Sequence, residues 1–164
     1  MSKVRRTRGL QSGLELAYLL GGMAAYRAGE TFGPRVLGDY ELVWIIEGSA
    51  EYRLRGHAHN APPGTVILAQ PGFSEEYTWD RRGVTRHAYL HFDMSRAADD
   101  WPARDAWPVL RRMPAGDALR PLFRTVIDRW CFGPGRDRGR NAGDARSVNR
   151  RHGPVRAGSA AGPP

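Results

Sequence analysis

From Tyr40 onward the chain breaks into short apolar runs, each closed by a turn signal. Tyr40–Glu47 (YELVWIIE) is rich in aromatic and β-branched residues and stops at Gly48-Ser49. Glu51–Arg55 alternates polar and apolar positions and stops at Gly56. Pro62-Pro63-Gly64 precedes Thr65–Gln70, and Pro71-Gly72 precedes Glu75–Trp79. Asp80-Arg81-Arg82-Gly83 then leads into Val84–Asp93 (VTRHAYLHFD). Runs of this kind, repeating every 8–12 residues or so, are the pattern of a β-sandwich or barrel. The prolines fall between runs, where they remove no ladder hydrogen bond.

The two flanks of this region read differently. Leu14–Tyr26 is apolar and fits either a helix or a strand pair; the Gly21-Gly22 break favours two short extended pieces. After Asp93, Pro102, Pro108 and Pro114 punctuate an irregular stretch. Asp117 is a natural N-cap. Beyond it Leu119, Leu122, Phe123, Val126, Ile127 and Trp130 recur at helical spacing, and Gly133-Pro134 ends the pattern. These six positions form one stripe of an amphipathic helix. The stripe either packs on the chain's own barrel or forms a subunit interface, for which its aromatic edge is suited.

The expected class is mainly β: a barrel followed by one or two helices. Residues 1–13 form a basic arm, 14–95 the barrel, 96–132 a proline-punctuated linker and helix, and 133–164 a tail. From Cys131 to the end, Gly, Arg, Ala and Pro make up 23 of 34 residues, too little apolar surface to offset the entropy of ordering. That tail is expected to be disordered.

Charge sharpens these boundaries. The net charge of +8 invites a nucleic-acid reading, but residues 9–130 sum to −1. The excess sits in Lys3, Arg5, Arg6 and Arg8 and in the seven arginines after Cys131. Basic ends attract phosphate, yet no recognition helix or base-reading group accompanies them. The single cysteine excludes an internal disulfide and a Cys-based zinc or iron–sulfur site within one chain. No apolar run reaches the 18 or so residues needed to span a bilayer, and Leu14–Tyr26, with Glu15 near its start, makes a poor signal peptide. The expectation is a cytoplasmic protein without membrane contact.

Candidate chemistry starts from histidine. In an extended chain His57 and His59 lie on one side, as a metal-binding pair would. Glu75, Glu76, His87 or His91 are candidates to complete a site. On Val84–Asp93, His87, Tyr89 and His91 share one face and Ala88, Leu90 and Phe92 the other. The apolar face is the natural core. The polar-aromatic face suits either a small-molecule pocket or a solvated surface. Cys131 has no His–carboxylate partner set nearby in sequence, and Gly21-Gly22 lacks the Lys-Ser/Thr of a phosphate loop. No catalytic residue is assigned.

The glycine and Pro-Gly turns resemble those of the cupins. Metal cupins carry His-x-His followed by a Glu and later a His; here no carboxylate follows His59 before Pro63, and Glu75 stands where the late histidine would fall. No metal and no cofactor are therefore expected. Within the cupins, Arg35, Asp39-Tyr40-Glu41-Leu42, Gly48, Gly56, Pro63-Gly64, Pro71-Gly72, Tyr77 and His91-Phe92-Asp93 resemble the ligand-binding and dimerisation domain of AraC-type transcription regulators. The resemblance covers roughly residues 14–130.

It implies a metal-free barrel that binds a small effector, a metabolite or sugar, with Arg35, Tyr77, His87 and Tyr89 as pocket residues. By spacing alone, Arg35 fits a surface turn equally well. The resemblance also implies a homodimer formed through the helix after the barrel, with the six stripe residues as its interface, and DNA contact only through a helix-turn-helix segment. The pattern after Cys131 contains no such segment. Its Gly/Arg/Ala/Pro composition is what GC-rich DNA encodes out of register, so a truncated or frameshifted product, genuine to about residue 130, is the expectation. Helix-turn-helix coding in another frame of the downstream DNA is the expected finding, and its absence counts against the idea. The competing class is a small cupin enzyme, a metal-dependent isomerase or oxygenase, which requires stoichiometric metal.

Overall fold

A computed structural model describes residues 15–96 and 101–132. Strands β1 (Glu15–Tyr26), β2 (Thr31–Val36), β3 (Tyr40–Glu47), β4 (Ala50–Leu54), β5 (His57–Ala61), β6 (Thr65–Ala69), β7 (Ser74–Trp79), β8 (Thr85–Arg96) and β9 (Leu110–Arg112) precede helix α1 (Leu119–Phe132). They form a five-stranded sheet, β1-β8-β3-β6-β9, and a four-stranded sheet, β2-β7-β4-β5. All pairings are antiparallel. The two sheets enclose one core, and the fold is a cupin-type jelly roll carrying a helix.

Alternation along the strands builds two apolar layers rather than one. On β3, Val43 and Ile45 turn inward and pack with Tyr52, Ile67, Tyr77 and Trp79 between the sheets. Trp44 turns outward and packs with Val66, Ala88, Leu90, Met113, Phe123 and Ile127 beneath α1. A strand covered on both faces reads as a continuous apolar run, which is why YELVWIIE shows so little period-2 contrast. Helix α1 begins as the sequence indicates: the Asp117 carboxylate accepts a hydrogen bond from the Leu119 N–H at 2.9 Å, satisfying a donor at the helix start.

Several sequence expectations change. Leu14–Tyr26 does not break at Gly21-Gly22; β1 runs through both glycines, with register irregularities confined to its first residues. The glycines serve close packing instead. A Cβ at Gly21 would sit 2.9 Å from the Tyr89 carbonyl oxygen and closer still to the Leu90 side chain, and one at Gly22 would meet the Tyr89 ring. Aromatic cover of strand glycines is a recurrent way to support them. The segment around Arg35 is strand β2 rather than a turn, and β9 adds a short edge strand in the proline-rich stretch. The Ala88 and Leu90 face does not point into the barrel. It lies under α1, and the His87, Tyr89 and His91 face is the interior one. The basic arm and the tail lie outside the described residues.

Gly21→Val is expected to lower unfolding stability by about 1–3 kcal/mol, because the strand pair must move apart. Gly83→Ala, where nothing lies within 4 Å of the added Cβ, is expected to change it little. Chemical denaturation of the two variants checks the contrast.

Candidate functional site

The barrel interior holds a charged cluster at one end and an aromatic stack at the other. Its organisation begins with a bulge in β2. Phe32 pairs with Tyr77 and Arg35 with Glu75, so three steps on β2 match two on β7. One extra residue reverses the side-chain parity of the rest of the strand. Without it Phe32 and Arg35 would face opposite sides of the sheet; with it both meet the inward row of β7.

Arg35 is held between two carboxylates. Its Nε donates to Glu75 Oε1 at 2.7 Å, and its Nη2 pairs with Glu41 across the gap between the sheets. The Tyr52 hydroxyl donates to the other Glu75 oxygen at 2.8 Å. His91 lies between Asp39 and Glu41, with ring nitrogen to oxygen distances of 3.2 and 3.3 Å. Phe32 lies under the Arg35 guanidinium at 4.6 Å. Isolated buried charge is costly, but here each charge has a hydrogen-bonded partner of opposite sign.

The environment drives the two glutamates apart. Burial works against the Glu41 carboxylate, but Arg35 and His91 both act on it and hold its pKa down to about 2. Glu75 is buried as deeply, at 2% exposure. Burial, with the like charge of Glu41, outweighs Arg35 there and raises its pKa to about 7. Burial opposes the charge of His91, yet its bonds to Asp39 and Glu41 raise its pKa to about 9. Burial likewise opposes the charge of Arg35, and Glu41 and Glu75 overcome it and raise its pKa. At neutral pH Arg35 and His91 are therefore cationic, Asp39 and Glu41 balance them, and Glu75 is close to its midpoint.

At the other end, rings stack. Tyr52 and Tyr77 are 4.8 Å apart, Tyr77 and Trp79 are parallel at 4.9 Å, and Trp79 and His87 are parallel at 4.9 Å. Tyr26 covers Trp79 at 4.5 Å. Burial holds His87 down to a pKa of about 4, so it is neutral. Three polar atoms in this stack are buried and without hydrogen-bond partners among the described residues: the Tyr77 hydroxyl, Trp79 Nε1 and His87 Nδ1. Buried polar atoms are nearly always paired, and these three face one another's sheets across the interior, two from β7 and one from β8.

Of the sequence candidates, Tyr77 and His87 lie in the stack and Arg35 in the cluster. Tyr89 packs against the same interior core, between His87 and His91. All four therefore meet in one interior, on strands β2, β7 and β8. Sequence alone does not single out Glu41, Tyr52, Trp79 and Tyr26 as site residues; it offers Glu75 only as a metal ligand, and His91 as a metal ligand or as part of the polar-aromatic face of Val84–Asp93. Parity carries the missing signal: Glu41 is in phase with Val43 and Ile45, and Glu75 with Tyr77 and Trp79.

The metal candidates fare differently. His57 is exposed and His59 half-buried, 6.4 Å from the Tyr52 ring, on edge strand β5. Among the described residues no group of three or more His, Cys, Asp or Glu side chains has metal-binding geometry. Of the helix stripe, Phe123 and Ile127 bury against the chain's own sheet, and Leu119 and Val126 partly so. Leu122 is 60% exposed. The Trp130 side chain lies outside the described residues. No described helix is long and apolar enough to cross a membrane.

Two facing sheets around a buried polar interior define a cupin-type barrel. The sequence matches the AraC-like ligand binding domain over residues 20–146, and the chain belongs to that family. The match reaches past residue 130, where the composition changes. No curated protein matches the sequence. Similar solved structures include unsaturated fatty acid-bound ToxT from Vibrio cholerae, at 16% identity and a TM-score of 0.40 over 46% of this chain and 29% of that one. YhaK from Escherichia coli is 23% identical, with a TM-score of 0.46 over 63% of this chain and 44% of that one. An RmlC-like cupin with a double-stranded β-helix fold from Methanocaldococcus jannaschii is 12% identical, with a TM-score of 0.43 over 56% and 90%. The chain thus spans less than half the length of the first two.

The shifted groups set a pH dependence. His91 has a raised folded pKa, so its contribution is complete below about pH 6.5 and is lost as pH rises to about 9. Glu75, also raised, loses its contribution between about pH 4.5 and 7. Glu41 and His87 have lowered folded pKa values and lose theirs as pH falls, toward about 2 and about 4. The unfolding free energy from chemical denaturation is therefore expected to drop between pH 7 and 9 by an amount on the order of 2–3 kcal/mol. His91→Gln should flatten that limb; an unchanged slope would remove His91 from the account.

Proposed function

We propose that this domain is the effector-binding and dimerisation module of an AraC-type transcription regulator, and that its barrel binds a small polar metabolite or sugar. The observation that carries this reading is that, between the two sheets, the Tyr77 hydroxyl and Trp79 Nε1 of β7 and His87 Nδ1 of β8 lack partners among the described residues. Flat aromatic faces beside unpaired donors and acceptors suit a compact molecule with hydroxyl or carbonyl groups. Arg35 is already engaged by two carboxylates and Glu41 by two cations, so an uncharged ligand leaves the balance undisturbed. Arg35, Tyr77, His87 and Tyr89 are the pocket residues, with Trp79 and Tyr26 as the stacking surface.

The module senses rather than catalyses, works in the cytoplasm, and reaches DNA through a helix-turn-helix segment that is not part of residues 1–164. Pairing of two copies runs along α1. Because Phe123 and Ile127 are held by the chain's own sheet, Leu122 supplies the exposed part of the interface.

Thermal-shift screening against sugars and small metabolites, repeated on Tyr77→Phe, tests the pocket. The Tyr77 hydroxyl has no partner among the described residues, so its removal should leave the ligand-free melting temperature within about 1 °C of wild type or above it. Affinity for the protecting compound should fall about 5–10-fold with the lost hydrogen bond. A compound that protects both proteins equally would place the ligand elsewhere. Sedimentation of the same samples, with Leu122→Asp as the monomeric control, reads the pairing.

A further inference from the structure

A cavity lies outside the barrel, between α1 and the outer face of the five-stranded sheet. It has a volume of about 420 Å³, lined by Met23, Trp44, Ile46, Pro63, Arg120, Arg124, Ile127 and Asp128 among others. That is within the range of small-molecule sites, roughly 300–1,000 Å³. It is separate from the interior because Trp44 projects from the opposite face of β3 to Val43 and Ile45.

Its chemistry is one-sided. Met23 and Ile46 are large apolar residues left 39% and 37% exposed at its wall. Trp44 is 4% exposed, and its indole N–H has no acceptor among the described residues. The guanidiniums of Arg120 and Arg124 each lie 5.9 Å from the Trp44 ring. Arg120 is anchored, its Nε donating to the Met113 carbonyl at 3.1 Å, and Gly64 leaves it room: a Cβ there would come within 3.0 Å of its Nη2. Arg124 makes no ion pair among the described residues. Asp128 is the single carboxylate in the lining against these two cations.

We propose that this groove is a binding site for a compact organic monoanion, a carboxylate on a one- or two-ring apolar body. The apolar body rests on Met23, Ile46 and Ile127, and the carboxylate accepts from Arg124 and the Trp44 indole. The chain's own basic ends do not suit the groove, since Lys3, Arg5, Arg6, Arg8 and the seven arginines after Cys131 carry the sign of its guanidiniums. The site does not depend on what the barrel interior binds.

The probe is 2-naphthoate, with the uncharged 2-naphthamide as its control, titrated into protein carrying ¹³C-methyl methionine. The chain has four methionines, and only Met23 lines the groove. Naphthoate is expected to shift the Met23 methyl resonance and leave Met94 in place, and to bind more tightly than the amide. Arg124 is exposed, so Arg124→Gln should fold as wild type. It should weaken naphthoate about tenfold, the size of one charge-assisted hydrogen bond, without altering the amide. Arg124→Lys should recover part of the loss, and Tyr77→Phe should have no effect. No Met23 shift at millimolar naphthoate, equal binding of acid and amide, or indifference to Arg124→Gln would each overturn the proposal.

Discussion

The pairing of Arg35 with both Glu41 and Glu75 links the two sheets through charge, and the barrel interior is arranged around it. Glu75 belongs to the four-stranded sheet and Glu41 to the five-stranded one. Apolar packing between sheets is non-directional and tolerates sliding by a fraction of a residue. A guanidinium held by two carboxylates does not, because its donors have a fixed fork geometry. The bulge in β2, the Tyr52 hydroxyl and the position of His91 all serve to satisfy this one cation and its two anions. Removing one member would leave the others charged and buried, which typically costs about 3–5 kcal/mol.

The same arrangement sorts the interior into a saturated end and an unsaturated one. Arg35, its two glutamates and the Tyr52 hydroxyl partner one another, so that end orders the barrel. Around Trp79 the rings are stacked and desolvated, while three of their polar atoms have no hydrogen-bond partner among the described residues. Stacking is compatible with that, because an aromatic face contributes packing whether or not the ring's N–H or O–H is satisfied.

The sequence shows the strands well where they are bounded by Pro-Gly and glycine turns, from Tyr40 to Asp93. It is less clear where a strand is defined by tertiary partners. β1 passes through Gly21-Gly22 because the Tyr89 ring and the Leu90 side chain occupy the space that side chains there would need. β2 contains Gly33 and Pro34, which break any strand pattern, and becomes a strand because Phe32 and Arg35 have partners on β7. For the site, the resemblance to AraC-type regulators identified Arg35, Tyr77, His87 and Tyr89, and the structure brings them to one interior. A charge in a strand reads as solvent-facing, so Glu41 and Glu75 escape notice although both are in phase with inward apolar residues; the structure shows each buried beside a cation. The helix stripe was legible as a stripe but not in its division, since periodicity cannot show that Phe123 and Ile127 face the sheet while Leu122 faces outward.

That division connects the barrel to the helix. β3 carries Glu41, Val43 and Ile45 inward and Leu42 and Trp44 outward, and β8 carries His87 inward and Ala88 and Leu90 outward. The wall that faces a barrel ligand is thus the same pair of strands on which α1 rests. Close-packed layers transmit displacement rather than absorb it, so a ligand that moves His87 on β8 also moves the surface under Phe123. Such a movement changes the pairing of two copies only if the ligand makes better contacts with one helix position than with another. The three orphaned polar atoms are where that difference would arise under the proposed reading, because a ligand bonded to them fixes the spacing of β7 and β8 that is otherwise set by stacking alone. An occupant of the outer groove would act on the same helix from the opposite side, against Trp44 and Arg124. Two ligands on opposite faces of one strand pair are then coupled through a single element, and thermodynamic linkage requires the coupling to be reciprocal.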